Sequence, residues 1–246
     1  MEESGSKNLN KAHALIGGKE RIDEYLSLRG LEVNMNYPYC YGLYQPIWKW
    51  APTPLDKEYN EKVEKYNNRI NLILSEVDNP KGTFIDIGCS EGYNTFEISY
   101  NGGEVVGVDN VDRVIPTAEF LRLHYKFDGV KIIQSYIQDY FDSTEEEYDY
   151  CLCLLVLHHY LDKYDNLPDS DELFKSSGIK LIKTIKERCN ISFLQLRFKE
   201  DKELNGSPHK PFVDYLTNKI GFSKVKPLSI QDDYKGKPSI IYKCTR

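Results

Sequence analysis

The segment TFIDIGCSEGYNTFEI, residues 83 to 98, constrains the fold of this chain more than any other stretch. A short apolar run reaches the acid Asp86, glycines follow at Gly88 and Gly92, and a helix-forming sequence starts near Glu91. Glycines at the end of a strand let the backbone turn sharply and let a ligand approach it closely. A helix that opens there aims its free amides at the same point. Strand, glycine turn and helix in that order read as a nucleotide-binding turn, which commits the flanking chain to an α/β fold. The glycines are four apart and an acid precedes the first by two, so the spacing does not fit the GxGxxG pattern of dinucleotide-binding turns.

The segments that follow continue the alternation. NGGEVVGVDN, residues 101 to 110, reads as a turn and a second buried strand ending in Asp109. An acid at that strand tip, about 20 residues past the glycine turn, can accept hydrogen bonds from ribose hydroxyls. KIIQSYIQDYF, residues 131 to 141, gives a third strand, and EEEYDYCLCLLVLHHYLD, residues 145 to 162, gives a fourth that starts with Tyr148 and Asp149. With these segments in order, DIGCSEG resembles motif I of the class I S-adenosylmethionine (SAM) methyltransferases, with Ser90 where the middle glycine usually stands. Ile137, Gln138 and Asp139 are similar to the family's adenine-binding turn, and Leu157, His158 and His159 to the Leu-His-His end of its fourth strand.

The resemblance covers residues 83 to 160. It implies a Rossmann-like three-layer α/β sandwich, built on a mostly parallel seven-stranded sheet with a C-terminal antiparallel hairpin. It also implies SAM as cofactor and S-adenosylhomocysteine (SAH) as product. Cofactor contacts then fall to Asp86, Gly88, Ser90, Gly92, Asp109, Asn110, Ile137, Gln138 and Leu154. For Asp86 two readings stand, bracing of the glycine turn or contact with the cofactor's ammonium, and the second is preferred. Asp109 is read as the ribose ligand in preference to a helix cap.

Residues 1 to 79 are expected to form an N-terminal helical and aromatic cap, and residues 80 to 246 the methyltransferase domain. Within the cap, helices are expected at 18 to 28 and 57 to 77, the second from the spacing of Val63, Tyr66, Ile70 and Ile73. The aromatic stretch NYPYCYGLYQPIWKWAPTP between them is broken by prolines and cannot form one regular element. It reads as an ordered loop over the catalytic end of the sheet. The remaining strands are expected at 191 to 198, 223 to 229 and 239 to 245, with PFVDYLTNKIGF as a helix stopped by glycine and DDYKGKP as the turn of the closing hairpin.

A chain of 246 residues, 40% of them hydrophobic, can bury a substantial core in one domain. Its formal charge of -6 gives no general basic footprint and weighs against nucleic acid as a partner. No apolar stretch reaches the length of a membrane span, and MEESGSKNLNKAH lacks the features of a signal peptide, so the chain is expected in the cytoplasm. The six cysteines include no CxxC pair. Cys151 and Cys153 would lie on one face of a strand as packing residues, and no metal is expected.

SAM already carries a reactive methyl, so much of the rate can come from holding an acceptor in line, about 7 to 11 kcal/mol in favourable cases. A hydroxyl acceptor also gains from a base as its proton leaves. His158 and His159 are the candidates, since they follow the fourth strand and imidazole titrates near neutral pH. The competing reading has them shape the helix start and the methionine pocket. Three residues are candidates for the acceptor. Arg197, near the end of the fifth strand, could bind a phosphate or carboxylate or pair with a neighbouring acid. His209 could enter from the loop after that strand, and Tyr44, with its aromatic neighbours, could stack on the acceptor or seal the cofactor pocket.

Through Gly88, Cys89, Gly92, Tyr93 and Phe96 the chain also resembles the GCxxGYxxF version of motif I. That version occurs in methyltransferases that modify or cap bacterial surface polysaccharides and, more distantly, in enzymes of the tRNA wobble uridine. With the acidic balance, it favours O-methylation of a small sugar-derived or phosphorylated acceptor. An RNA methyltransferase and a SAM-binding subunit without chemistry are the alternatives.

Overall fold

The computed structural model describes residues 57–112, 114–160, 176–197, 209–232 and 238–246. The helix expected at 18 to 28, the aromatic stretch with Tyr44 and the middle of the DDYKGKP turn lie outside them. Helix α1 (Lys57–Ser75) leads into strand β1 (Thr83–Ile87), α2 (Tyr93–Tyr100), β2 (Glu104–Asp109), α3 (Ile115–His124), β3 (Val130–Gln134) and α4 (Ile137–Ser143). Then come β4 (Tyr148–Leu154), a 3₁₀ turn (Leu157–Tyr160), α5 (Ser176–Arg188) and β5 (Cys189–Arg197). A short helix α6 (His209–Asp214) runs into a π-helical turn (Tyr215–Ile220), and β6 (Lys224–Asp232) and β7 (Pro238–Thr245) follow.

The seven strands form one sheet in the order β3-β2-β1-β4-β5-β7-β6. The first five are parallel, and β7 runs antiparallel between β5 and β6. The fold expected from the sequence is the one observed. Its central strands are buried on both faces, which is why they read as near-continuous apolar runs. Phe84, Tyr150, Leu152 and Phe193 face a core closed by α1, α2 and α3. Their neighbours Ile85, Ile87, Cys151, Cys153 and Leu194 face a second core closed by α4, α5 and α6. Burial raises the Cys151 and Cys153 thiols well above their ordinary range, as expected of inert packing groups.

Two features position the cleft described below. The strand order reverses at β1, which pairs with β2 on one side and β4 on the other. Such a switch point opens a crevice at the carboxyl ends of the strands. Helix α1, read from the sequence as part of the cap, shares the first core through Val63, Ile70 and Ile73. The Tyr93 hydroxyl donates to Asn67 Oδ1 at 2.6 Å and ties α1 to α2.

Candidate active site

A cleft of about 650 Å³ lies at the carboxyl ends of β1, β2, β3 and β4, within the size range of small-molecule sites. Its floor is the glycine turn, where Gly88, Ser90 and Gly92 have φ of 72°, 51° and 87°. This left-handed region is open to glycine and costs other residues about 1 to 2 kcal/mol. Ser90 therefore holds the conformation that a glycine at the middle position of motif I would adopt without strain. Its amide donates to Asp109 Oδ2 at 2.9 Å and its hydroxyl to Glu91 Oε2 at 2.5 Å. The left-handed Gly92 cannot be helical, so α2 starts at Tyr93 and not near Glu91.

The two glycines of the turn are also required by close contacts. A Cβ on Gly88 would stand 2.5 Å from Val156 Cγ2, and one on Gly92 would stand 2.6 Å from Phe96 Cε2. The Phe96 ring under Gly92 stacks in turn on Phe127, with centroids 5.1 Å apart. The spacing Gly-Tyr-x-x-Phe is thus a packing unit: Tyr93 fastens α1, and Phe96 supports the turn.

Asp86, only 1% exposed, lines the cleft and accepts the Thr95 hydroxyl at 2.7 Å. Burial pushes its carboxyl up from the ordinary 3.8 to about 7, against the Thr95 hydrogen bond and the nearby Arg69 charge. It therefore both braces α2 and faces the cleft. Asp109 accepts the Ser90 amide on one oxygen and the Val111 amide on the other, at 2.9 Å each. Each oxygen keeps a second lone pair for a ligand hydroxyl. Burial raises the Asp109 carboxyl too, opposed by these backbone hydrogen bonds.

Gly88, Ser90, Asn110, Ile137 and Leu154 join Asp86 and Asp109 around the cleft. His158 and His159 stand at its β4 side with ring centroids 4.0 Å apart, His158 buried and His159 exposed. Gly92 frames the turn without lining the cleft. Gln138 does not line it either: its side chain donates to Asp142 one helical turn on, at 3.0 Å. Asp139 is exposed and away from the cleft. Arg197 closes β5 and His209 opens α6, and the side chains of both lie outside the described residues. Among the described residues no group of three or more His, Cys, Asp or Glu could hold a metal ion, and no helix is long and apolar enough to cross a membrane.

The sequence reading missed Arg69, Asn94 and Tyr136. Arg69 is 6% exposed, lines the cleft, and carries its guanidinium carbon 4.2 Å from the centre of the Tyr66 ring. The signal was present, because an arginine three residues after Tyr66 and four before Ile73 falls on the apolar face of α1. Asn94 is equally buried, on the first turn of α2. Arg69 Nε and Asn94 Oδ1 are buried without hydrogen-bond partners. A donor lacking an acceptor and an acceptor lacking a donor suit the carboxylate and ammonium of an amino-acid group such as the one SAM carries. Tyr136, beside Ile137, is 65% exposed, and Val111 after β2 is exposed too; both line the cleft.

Residues 78–221 match the family model described as "Methyltransferase domain". The chain is 28% identical over 128 residues to a ubiquinone biosynthesis O-methyltransferase of Hydrogenovibrio crunogenus, covering 51% of this chain and 52% of that one. It is 29% identical over 160 residues to the enzyme of the same name from Ruegeria pomeroyi, covering 59% and 56%. The chain thus spans about half the length of the curated relatives it matches. Among solved structures, magnesium protoporphyrin IX methyltransferase (ChlM) from Synechocystis PCC 6803 with bound SAH aligns with a TM-score of 0.57 and 14% identity, over 80% of this chain and 89% of that one. The bifunctional kinase-methyltransferase WbdD aligns with a TM-score of 0.55 and 18% identity, over 73% and 39%. These two likenesses are of fold. The family match spans more than half the chain and agrees with the strand order and the glycine turn: the chain belongs to the class I SAM-dependent methyltransferases.

Proposed function

We propose that this protein transfers the methyl group of SAM to an oxygen of a small acceptor, sugar-derived or phosphorylated, in surface polysaccharide biosynthesis. The observation that carries the reading is that the glycine turn, Asp109 and the histidine pair line one cleft. Bound there, SAM supplies an electrophilic methyl that passes to the acceptor oxygen and leaves neutral SAH. Asp109 holds the ribose hydroxyls. Ile137, Val111 and Tyr136 enclose the adenine. Arg69 takes the carboxylate of the amino-acid end, and Asp86 with Asn94 faces its ammonium. His158 or His159 accepts the proton of a hydroxyl acceptor, a service that an ionised phosphate does not need.

The relatives' names support transfer to oxygen. The acceptor class draws on the GCSEGYNTF segment and on a likeness of fold to the N-terminal domain of EvdMO1, solved in the presence of SAH and D-fucose. The test is a methyl-transfer screen with labelled SAM over phosphorylated sugars, small phosphates, free sugars, phenols and total tRNA. Label is expected in the sugar and phosphate pools, and label in tRNA alone would reverse the acceptor assignment. Calorimetry gives a second check. Asp109→Ala is expected to weaken SAH binding by at least about tenfold, close to the 1.4 kcal/mol of one charge-assisted hydrogen bond; unchanged affinity would remove Asp109 from the ribose.

A further inference from the structure

The turn that carries the histidine pair is held in a conformation its sequence disfavours. Leu155, the first residue after β4, has φ 57°, where a side chain with a Cβ costs about 1 to 2 kcal/mol. Strain of this kind persists only where the surroundings impose it, and it gathers at functional sites. Here the surroundings are specific. Val156 Cγ2 presses on Gly88 so closely that even a Cβ could not fit between them. The Val156 carbonyl accepts the His159 amide at 3.0 Å, and Leu157 is fully buried in the second core. Leu155, Val156, His158 and His159 all line the cleft, on either side of that buried anchor.

We infer that Leu155 and Val156 are positioning residues: the strained turn, wedged against the cofactor turn at Gly88, sets where the two imidazoles stand relative to bound SAM. The inference rests on the reading of the cleft as the SAM site. Gly88 then has two tasks, giving the cofactor close access on one side and receiving Val156 on the other. With the Val156 wedge removed, the strained turn is free to relax and the histidines to swing, while Asp109 and the fold stay in place. Displacement of a reacting group by about 1 Å can cost about 100-fold in rate.

The test uses the full chain with ¹⁵N-labelled histidine, and SAH as the ligand. The imidazole signals of His158 and His159, assigned with His158→Gln and His159→Gln, are followed through a pH titration with and without SAH. Wild type, Val156→Ala and Leu155→Gly are compared, with SAH affinity from calorimetry and unfolding temperature measured in parallel. In wild type, SAH is expected to shift both imidazoles. In Val156→Ala, read at saturating SAH, most of the imidazole shift is expected to be lost, whereas Leu155→Gly, which holds the left-handed turn without strain, is expected to keep it. Leu155→Gly is expected to unfold no earlier than wild type, since relief of strain offsets the freedom glycine adds to the unfolded chain. A wild-type imidazole response in Val156→Ala would overturn the inference and leave the cofactor reading intact. So would a wild-type protein that binds SAH without any imidazole response. Failure of wild type to bind SAH would overturn the cofactor reading and the inference with it.

Discussion

Asp86 lies at the end of β1 with its carboxylate on Thr95 and the Arg69 charge nearby. Its folded pKa of about 7 exceeds the ordinary 3.8, so its contribution to stability is full below pH 4 and is lost as pH rises through about 7. Above that, the folded protein without ligand holds a buried charge at a cost of roughly 4 kcal/mol. Asp86→Asn is therefore expected to stabilise the ligand-free protein by a few kcal/mol at pH 8 and by almost nothing at pH 4, which urea unfolding at the two pH values will show. Cofactor binding should run the other way. The ionised carboxylate attracts the cationic SAM, so SAM affinity is expected to rise with pH through about 7 in wild type and to stay flat in Asp86→Asn, by calorimetry from pH 5 to 8. At this scale the sequence was most legible where a residue type is forced. Glycines at Gly88 and Gly92 follow from positive φ and from the atoms that crowd them. Arg69 and Asn94 were hidden because their roles come from burial in the assembled cleft, which no local pattern encodes.

Helix α1 has no basic residue in its last turn, yet its carboxyl end is compensated from the far edge of the sheet. Lys243 of β7 donates to the Glu76 carbonyl at 2.6 Å, and Lys226 of β6 meets the Glu76 carboxylate at 2.7 Å. Cations there offset the helix dipole and occupy an otherwise open carbonyl. Lys243→Met is expected to destabilise the protein by about 1 kcal/mol, measured by urea unfolding, with the loss shrinking in high salt for the carboxylate part only. The Lys226 hydrogen bond holds the Glu76 carboxyl below its ordinary value, so this support is present above the usual carboxylate range and fades as pH falls through the lowered pKa. The elements themselves were largely legible, since buried parallel strands and glycine-stopped helices leave strong patterns. Gln138 shows the limit: the helical twist of α4 turns it toward Asp142, while Ile137 and the residue before it, Tyr136, meet the cleft. The π-helical turn at Tyr215–Ile220 gave no signal, because its wider winding keeps the same apolar residues inward.

Two cores lie on opposite faces of one sheet, and every strand of the sheet contributes to at least one of them or pairs with one that does. Ligand bound at the shared carboxyl edge should therefore stabilise the molecule as a unit. SAH at 100 times its dissociation constant is expected to add about 2.7 kcal/mol and to raise the unfolding temperature by several degrees. NAD at the same concentration should leave it unchanged, and a thermal-shift comparison of the two checks this. The mostly parallel character of the sheet was readable because its strands alternate with helices, as crossover connections require. The acceptor side was not, because the sequence signals of this fold cluster on the cofactor. The place of β7 has a further consequence for how the protein is made. It is the last described strand along the chain, yet it sits inside the sheet, between β5 and β6. On the ribosome, β5 must wait with one bare edge until residues through Thr245 have been synthesised, and an open apolar edge invites pairing with other chains. Until its inner strand arrives, the half-built sheet therefore carries an open edge at β5 that β7 later closes.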